Sequence, residues 1–338
     1  MSLTGIQLQD TFYDILAGAS KATCLFAVVD LGLERLLAAR PLPEAAIVER
    51  LELDKLRGHK WLVLLETVEL LVTTRDPDSG ELLYGNGELL AKIANPETSY
   101  FYREFMRYWR TAAWNEMTRL VRGAVVDSPV RYPPEADGDV ALLHDWMREG
   151  AIITLDTIER SFDFGQVRRM LDVGGGDATI ACELVSRHPR LHSTVFNLPK
   201  AARLGLANVA AKSLGARVAI AVGDFLADPL PLGEFDLVMF SRVLADWSPE
   251  VCRMLLGKAY QSLAPGGWLV VAEPFRDQNP GLSIAWEHSY LPYDDFGAYV
   301  YKTTQFYEEA FAAAGFSQVT SYPRSGDSIH GVLTARRA

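Results

Sequence analysis

Cysteine is scarce in this chain of 338 residues: Cys24, Cys182 and Cys252 lie far apart, are odd in number and form no CxxC pair. Neither a disulfide framework nor a structural zinc site is expected from that usage. Positive charge is also short, with 33 Lys and Arg against 43 Asp and Glu and a formal net charge of −10. Proteins that live on phosphate backbones need clustered cations to displace counterions, so nucleic acid is not an expected partner. No basic-then-apolar leader opens the chain, and the pattern shows no apolar run approaching the roughly 18 residues that cross a bilayer. A cytoplasmic protein with no membrane segment is the resulting expectation.

What is present is the composition of a globular protein, 49% hydrophobic and 22% charged, which removes the disordered and collagen-like classes. The length suggests about two domains. Residues 7 to 40 carry apolar positions at helical spacing, among them Leu8, Phe12, Ile15, Leu16, Phe26, Val28, Val29, Leu33 and Leu36. Such breadth predicts a helix buried on more than one side, most economically against a second subunit. Helices over 43–51 and 56–72 follow, and a polar turn at Asp76-Pro77-Asp78-Ser79-Gly80 separates two short strand-like pieces, a winged-helix pattern. Between about 97 and 126, Tyr100, Phe101, Tyr102, Phe105, Tyr108, Trp109 and Trp114 crowd together. They suit either an ordinary core helix or the wall of a pocket for a flat ligand. A proline-punctuated loop, Val130-Arg131-Tyr132-Pro133-Pro134, precedes a further helical stretch over 140–161.

From residue 168 the texture alternates between strands and helices. Strands are expected at Arg169–Val173, His192–Phe196, Val218–Val222, Phe235–Phe240 and Trp268–Ala272, and helices at Ala178–Arg187 and Ala201–Leu214. This alternation specifies an α/β fold with a doubly wound, mostly parallel sheet, whose ligands bind at the carboxyl ends of the strands. The chemistry-bearing residues fall there. Gly174-Gly175-Gly176 follows the first strand, where glycine lets backbone approach a ligand closely. The run is GGGDA, without the GxGxxG spacing that accompanies a pyrophosphate, and Asp172 just before it would repel phosphate and suit a cationic or hydrogen-bonding ligand. Asn197, Asp224-Phe225 and Ser241-Arg242 end the next three strands. Singly, each has a structural explanation as a cap or core residue; four adjacent strand ends together describe a cofactor site.

In LDVGGGDATI, NLP, GDF, SRVLADWS, LAPGGWLVVAEP and FAAAGF the chain resembles the class I S-adenosylmethionine-dependent methyltransferases, specifically the two-domain small-molecule O-methyltransferase family. The resemblance covers essentially the whole chain. It implies a C-terminal Rossmann-like methyltransferase domain over 166–338, an N-terminal α-helical winged-helix dimerisation domain over 1–98 and a helical linker over 99–165 that contributes to the substrate pocket. It also implies S-adenosylmethionine as cofactor, S-adenosylhomocysteine as product, a homodimer through the N-terminal helices and a small aromatic substrate. Carried over by position, Asp172 and Gly174 belong to the methionine part of the cofactor, Asn197 to the ribose, Asp224 and Phe225 to the adenine, and Ser241 to the cofactor carboxylate. Asn197 stands where the family usually has Asp; an amide still donates and accepts.

Members of the family read HDW where this chain reads Ala245-Asp246-Trp247, and their histidine deprotonates the acceptor hydroxyl. Alanine cannot. Of the two glutamates flanking that histidine in plant members, one matches Glu273 and the other aligns with Tyr301. The motifs come nearest to the bacteriochlorophyllide C-methyltransferase type, which shares the Asn of NLP, the VxYPP loop, the missing histidine and a histidine at the position of His288. His288 is accordingly the expected general base, oriented or assisted by Glu273, with Tyr108, Trp109, Trp247, Tyr293 and Tyr301 shaping the substrate pocket. His59, His144, His188, His192 and His330 are read as exposed. Some relatives hold iron through an HD pair and a later histidine, but only Asp246 and His288 remain here, so no metal is expected. The functional expectation is methyl transfer to an aromatic or enolisable metabolite, leaning to carbon. The alternatives are proximity-driven O-methylation, a ligand-sensing winged-helix regulator and a catalytically silent cofactor-binding protein.

Overall fold

A computed structural model describes residues 5–96, 98–114, 117–124, 137–232, 235–292, 301–326 and 328–338. The chain divides into two compact units, residues 1–106 and 107–338. The first contains helices α1 (Gly5–Leu31) and α2 (Leu33–Leu36), strand β1 (Leu42–Pro43), helices α3 (Glu44–Arg50) and α4 (Lys55–Thr67), strands β2 (Leu71–Arg75) and β3 (Leu82–Asn86), and helix α5 (Glu88–Ala94). Its antiparallel sheet has the order β1-β3-β2. The β2–β3 hairpin forms where the polar turn was expected, because Asp76 Oδ1 accepts the backbone N–H groups of Asp78 at 3.0 Å and Ser79 at 2.8 Å.

Helix α1 departs from expectation in one respect, its hydropathy. Only Cys24, Phe26 and Val28 are buried in it, whereas Phe12 and Ile15 are 56% and 68% exposed. An 18-residue window within it also has a mean hydropathy of 1.4, so by length and composition this helix could cross a membrane. The small residues Ala17, Gly18, Ala19 and Ala22, interleaved with its larger ones, hide that run from a reading based on helical periodicity.

Helix α6 (Ser99–Trp114) crosses the division between the units, and α7 (Met117–Leu120) and α8 (Asp137–Ser161) follow. The second unit then alternates: β4 (Arg169–Val173), α9 (Thr179–Arg187), β5 (His192–Asn197), α10 (Pro199–Ala211), β6 (Val218–Val222), β7 (Phe235–Ser241), α11 (Pro249–Ser262), β8 (Leu263–Glu273), α12 (Pro280–Tyr290), α13 (Thr304–Ala314), β9 (Phe316–Tyr322) and β10 (Gly331–Arg337). Its sheet has the order β6-β5-β4-β7-β8-β10-β9, with β4 to β8 parallel and β10 antiparallel to both its neighbours. Period-two alternation sends successive side chains to opposite faces. Leu171, Val173, Val238, Phe240, Leu269 and Val271 meet Leu255 and Leu256 of α11 and Phe311 of α13. Met170, Leu237, Met239 and Val270 meet Leu155 and Ile158 of α8 and Leu184 of α9. Both faces are thus covered, which is why the central strands read as nearly continuous apolar runs. The strand order reverses between β4 and β7, the position at which such sheets open a crevice at their carboxyl edge.

Candidate active site

Asp172, Asn197, Asp224, Ser241 and Glu273 all stand at or just beyond the carboxyl ends of β4, β5, β6, β7 and β8, so one edge of the sheet gathers them. The glycine loop after β4 needs glycine on geometric grounds. Gly174 has φ +73°, and a Cβ there would lie 2.8 Å from Val243 Cγ2. A Cβ on Gly175 would lie 2.2 Å from Asp172 Oδ2, so the acid's carboxyl is tucked directly beneath the loop. Both Asp172 oxygens are buried without a hydrogen-bond partner among the described residues, and burial pushes the carboxyl up to about 7. Ser241 Oγ is likewise buried and unpartnered. Asn197 braces the loop: its Nδ2 donates to Gly176 O at 3.1 Å, and its Oδ1 accepts from Leu198 N at 2.9 Å. Asp224 Oδ1 accepts from Leu226 N at 2.8 Å, and the half-buried Phe225 meets Trp247 edge-on with ring centroids 5.6 Å apart.

Beyond β7 the chain makes a tight 3-10 turn, Leu244–Asp246, entered through Arg242 at φ +62°, a conformation that a non-glycine residue keeps only where its surroundings hold it. Those surroundings are explicit. Glu273 Oε1 accepts the N–H groups of Val243 at 2.8 Å and Leu244 at 2.7 Å. Lys302 Nζ donates to Leu244 O at 3.2 Å, to Ala245 O at 2.9 Å and to Trp247 O. Arg242 Nη1 donates to Met147 O on α8 at 2.6 Å. Of the orienting and assisting roles expected of Glu273, the geometry favours the first, because its carboxyl is wholly buried and bound to backbone: it is a positioning residue acting through the turn. Its other oxygen, Oε2, has no hydrogen-bond partner among the described residues, and burial raises the group to about 8 despite the two N–H bonds that pull it down. Lys302 was missed because nothing local in sequence marks a lysine whose partners are carbonyls some 55 residues away.

His288, on α12, is half-buried; its Nδ1 has no hydrogen-bond partner among the described residues, and its ring lies 4.8 Å from that of Trp109, tilted by 33°. Desolvation lowers its pKa, so the imidazole is neutral at pH 7. Tyr301 is buried against Tyr290, with which it shares a hydrogen bond. Trp247 is half-buried beside Phe225. Tyr293 and the side chains of Tyr108 and His144 lie outside the described residues. His330 corrects another expectation: it is 6% exposed, not surface-lying, and its Nδ1 is 2.9 Å from Thr154 Oγ1 on α8. Among the described residues no group of three His, Cys, Asp or Glu side chains is arranged to hold a metal.

A family model described as an O-methyltransferase domain matches residues 131–317. The chain belongs to that family. Over 79% of its length, and 77% of the relative's, this methyltransferase is 30% identical to the 3-hydroxy-5-methyl-1-naphthoate 3-O-methyltransferase of Streptomyces sahachiroi. It is 27% identical to the L-tyrosine C(3)-methyltransferase of Streptomyces lavendulae, over 96% of this chain and 91% of that one. Among solved structures, the apo form of the S-adenosylmethionine-dependent methyltransferase SibL matches with a TM-score of 0.80 at 27% identity, covering 97% of this chain and 98% of that one.

This methyltransferase uses S-adenosylmethionine, and its strand-end residues fit that cofactor. The orphaned Asp172 oxygens and Ser241 Oγ offer acceptors and a hydroxyl beside the glycine cradle. Asn197 retains one N–H and one lone pair for a ribose hydroxyl after bracing the loop, and Asp224 keeps its second oxygen for an amino group beside the Phe225 ring.

Proposed function

We propose that this enzyme methylates a ring carbon of a small phenolic or enolisable aromatic metabolite, with His288 as the group that receives the acceptor's hydroxyl proton. The observation that carries the reading is the turn at Leu244–Asp246: its backbone is held rigidly, yet it presents the methyl group of Ala245 where oxygen-methylating relatives by motif have a histidine. The bound cofactor supplies an electrophilic methyl on a sulfonium centre. The remaining work falls to the chain. The neutral His288 imidazole can accept a phenolic proton, which raises electron density on the ring carbons. Phe225 and Trp247, meeting edge-on, put aromatic surface beside the strand-end residues assigned to the cofactor, and a desolvated site strengthens the attraction of such surface for a cation. The tyrosine C-methyltransferase relative is consistent with carbon as the acceptor. The naphthoate relative favours the second reading, O-methylation of an acidic phenol by proximity alone.

The same proposal takes the first unit as a winged-helix dimerisation module and the protein as a cytoplasmic homodimer. Ile6, Leu8, Phe12, Tyr13, Ile15 and Leu16 on α1 expose more apolar surface than a monomer in water ordinarily leaves bare, and a second copy would cover it. The deciding experiment is turnover of a phenolic and enolic panel with methyl-carbon-13 S-adenosylmethionine. A product methyl shift characteristic of carbon attachment is expected; a methoxyl shift would replace the carbon reading with the second one.

A further inference from the structure

The turn after β7 carries a group that none of its clamps uses. Glu273, Lys302, Arg242 and Cys252, whose Sγ donates to Leu244 O at 3.2 Å, fasten the backbone around Asp246 or the strand end before it. None of them hydrogen-bonds the Asp246 carboxyl, which makes no hydrogen bond with any described residue. It is half-buried rather than solvent-bathed, and desolvation raises it to about 7, against the opposing charges of Lys302 and Arg242. Glu273, Tyr301 and Tyr307 are the other titratable groups that feel its charge. A carboxyl carried on so fastened a backbone, and hydrogen-bonded by no described residue, is placed to meet something that is not part of the chain.

Its location narrows what that is. Val243 abuts Gly174 in the cofactor cradle, and Trp247 touches Phe225. Asp246 therefore lies on a turn both ends of which meet the residues assigned to the cofactor, whereas His288 stands on α12 against Trp109. A ring carbon about to be methylated must sit next to the cofactor; the hydroxyl that activates it is at least one bond further off.

Carbon methylation of a phenol moves two protons in turn. His288 first takes the O–H proton, leaving a phenolate. The new carbon–carbon bond then forms as the methyl–sulfur bond breaks, and that bond's electron pair remains on sulfur. The substituted carbon now carries both a methyl group and its original hydrogen, and the ring is a neutral dienone. Loss of that C–H proton returns its electron pair to the ring, and the oxygen recovers the proton held on His288. We propose, on the carbon-methylation reading above, that Asp246 is the second proton acceptor, taking the hydrogen from the methylated ring carbon and releasing it to water. Oxygen methylation would give Asp246 no such task.

The test uses the full-length enzyme with ring-deuterated phenols, ring-deuterated L-tyrosine among them, and compares the wild type with Asp246→Asn, Asp246→Glu and His288→Ala. Asp246→Asn is expected to lower kcat on the order of 100-fold or more. A ring-deuterium isotope effect on kcat should emerge in that variant as C–H loss becomes limiting, and Asp246→Glu should recover part of the rate. Calorimetric affinity for S-adenosylmethionine should be unchanged, and the phenolate absorbance that develops on acceptor binding should persist in Asp246→Asn but disappear in His288→Ala. Carbon methylation at the wild-type rate in Asp246→Asn would overturn the assignment, as would a slow variant with no isotope effect and no phenolate band. A methoxyl product from the wild type is a separate result, visible without any variant, and would remove the carbon reading on which the assignment rests.

Discussion

Replacing Glu273 with glutamine should stabilise the folded protein at neutral pH while leaving it nearly unchanged in mild acid. The Glu273 carboxyl is wholly buried; Oε1 receives two backbone N–H groups and Oε2 receives none. Burial raises it from an ordinary 4.5 to about 8. A group whose folded pKa lies above its unfolded value holds its proton more tightly when folded, so its stabilisation is complete below the unfolded pKa and is lost as pH rises through the folded one. Each pH unit in that window costs about 1.4 kcal/mol. From 4.5 to pH 7 the wild-type chain therefore loses roughly 3 kcal/mol from this residue alone. Glutamine keeps an oxygen for the N–H groups of Val243 and Leu244, puts N–H donors where Oε2 stands and does not titrate. Urea unfolding followed by tryptophan fluorescence should give nearly coincident midpoints for the two proteins near pH 5 and a higher midpoint for the glutamine variant near pH 7.5. Parallel pH dependence in the two proteins, or a variant less stable at both pH values, would refute the reasoning.

Three further outcomes follow from the same geometry. Asp172, protonated below about pH 7 while it has no partner, must ionise to receive a cationic ligand, so S-adenosylmethionine affinity should rise up to about tenfold per pH unit toward neutrality and then level off. Asp172→Asn should flatten that profile in calorimetry, and an unchanged slope would assign the titration to another group. Lys302→Met leaves three carbonyls of the turn without their donor and should cost about 2 kcal/mol or more in stability, with kcat falling more than S-adenosylmethionine affinity does. Charging the exposed face of α1 with Phe12→Glu and Ile15→Glu should convert a sedimenting dimer into a monomer without altering cofactor binding; a wild-type protein that sediments as a monomer in detergent-free buffer would refute the α1 interface.

Much of this protein was determined by its sequence alone, because the relevant physics is local. Period-two and helical spacing in 168–273 specify buried strands and their covering helices, and the glycine run after β4 is demanded by φ +73° at Gly174 and by Asp172 packed beneath Gly175. The strand-end residues Asp172, Asn197, Asp224 and Ser241 could be located by position, since a parallel sheet brings all its carboxyl ends to one edge. Tertiary structure decided what those residues and their neighbours can do. Glu273 was legible as important, but only its burial against the N–H groups of Val243 and Leu244 makes it a brace for the turn. His330 reads as an exposed residue until α8 brings Thr154 to its ring. Lys302 acquires its role from carbonyls distant in the chain, and the Asp246 carboxyl is set apart because no described residue hydrogen-bonds it while the backbone of its turn is fastened. Hydrogen bonding and desolvation depend on which groups meet in space, and no spacing along the chain encodes that meeting.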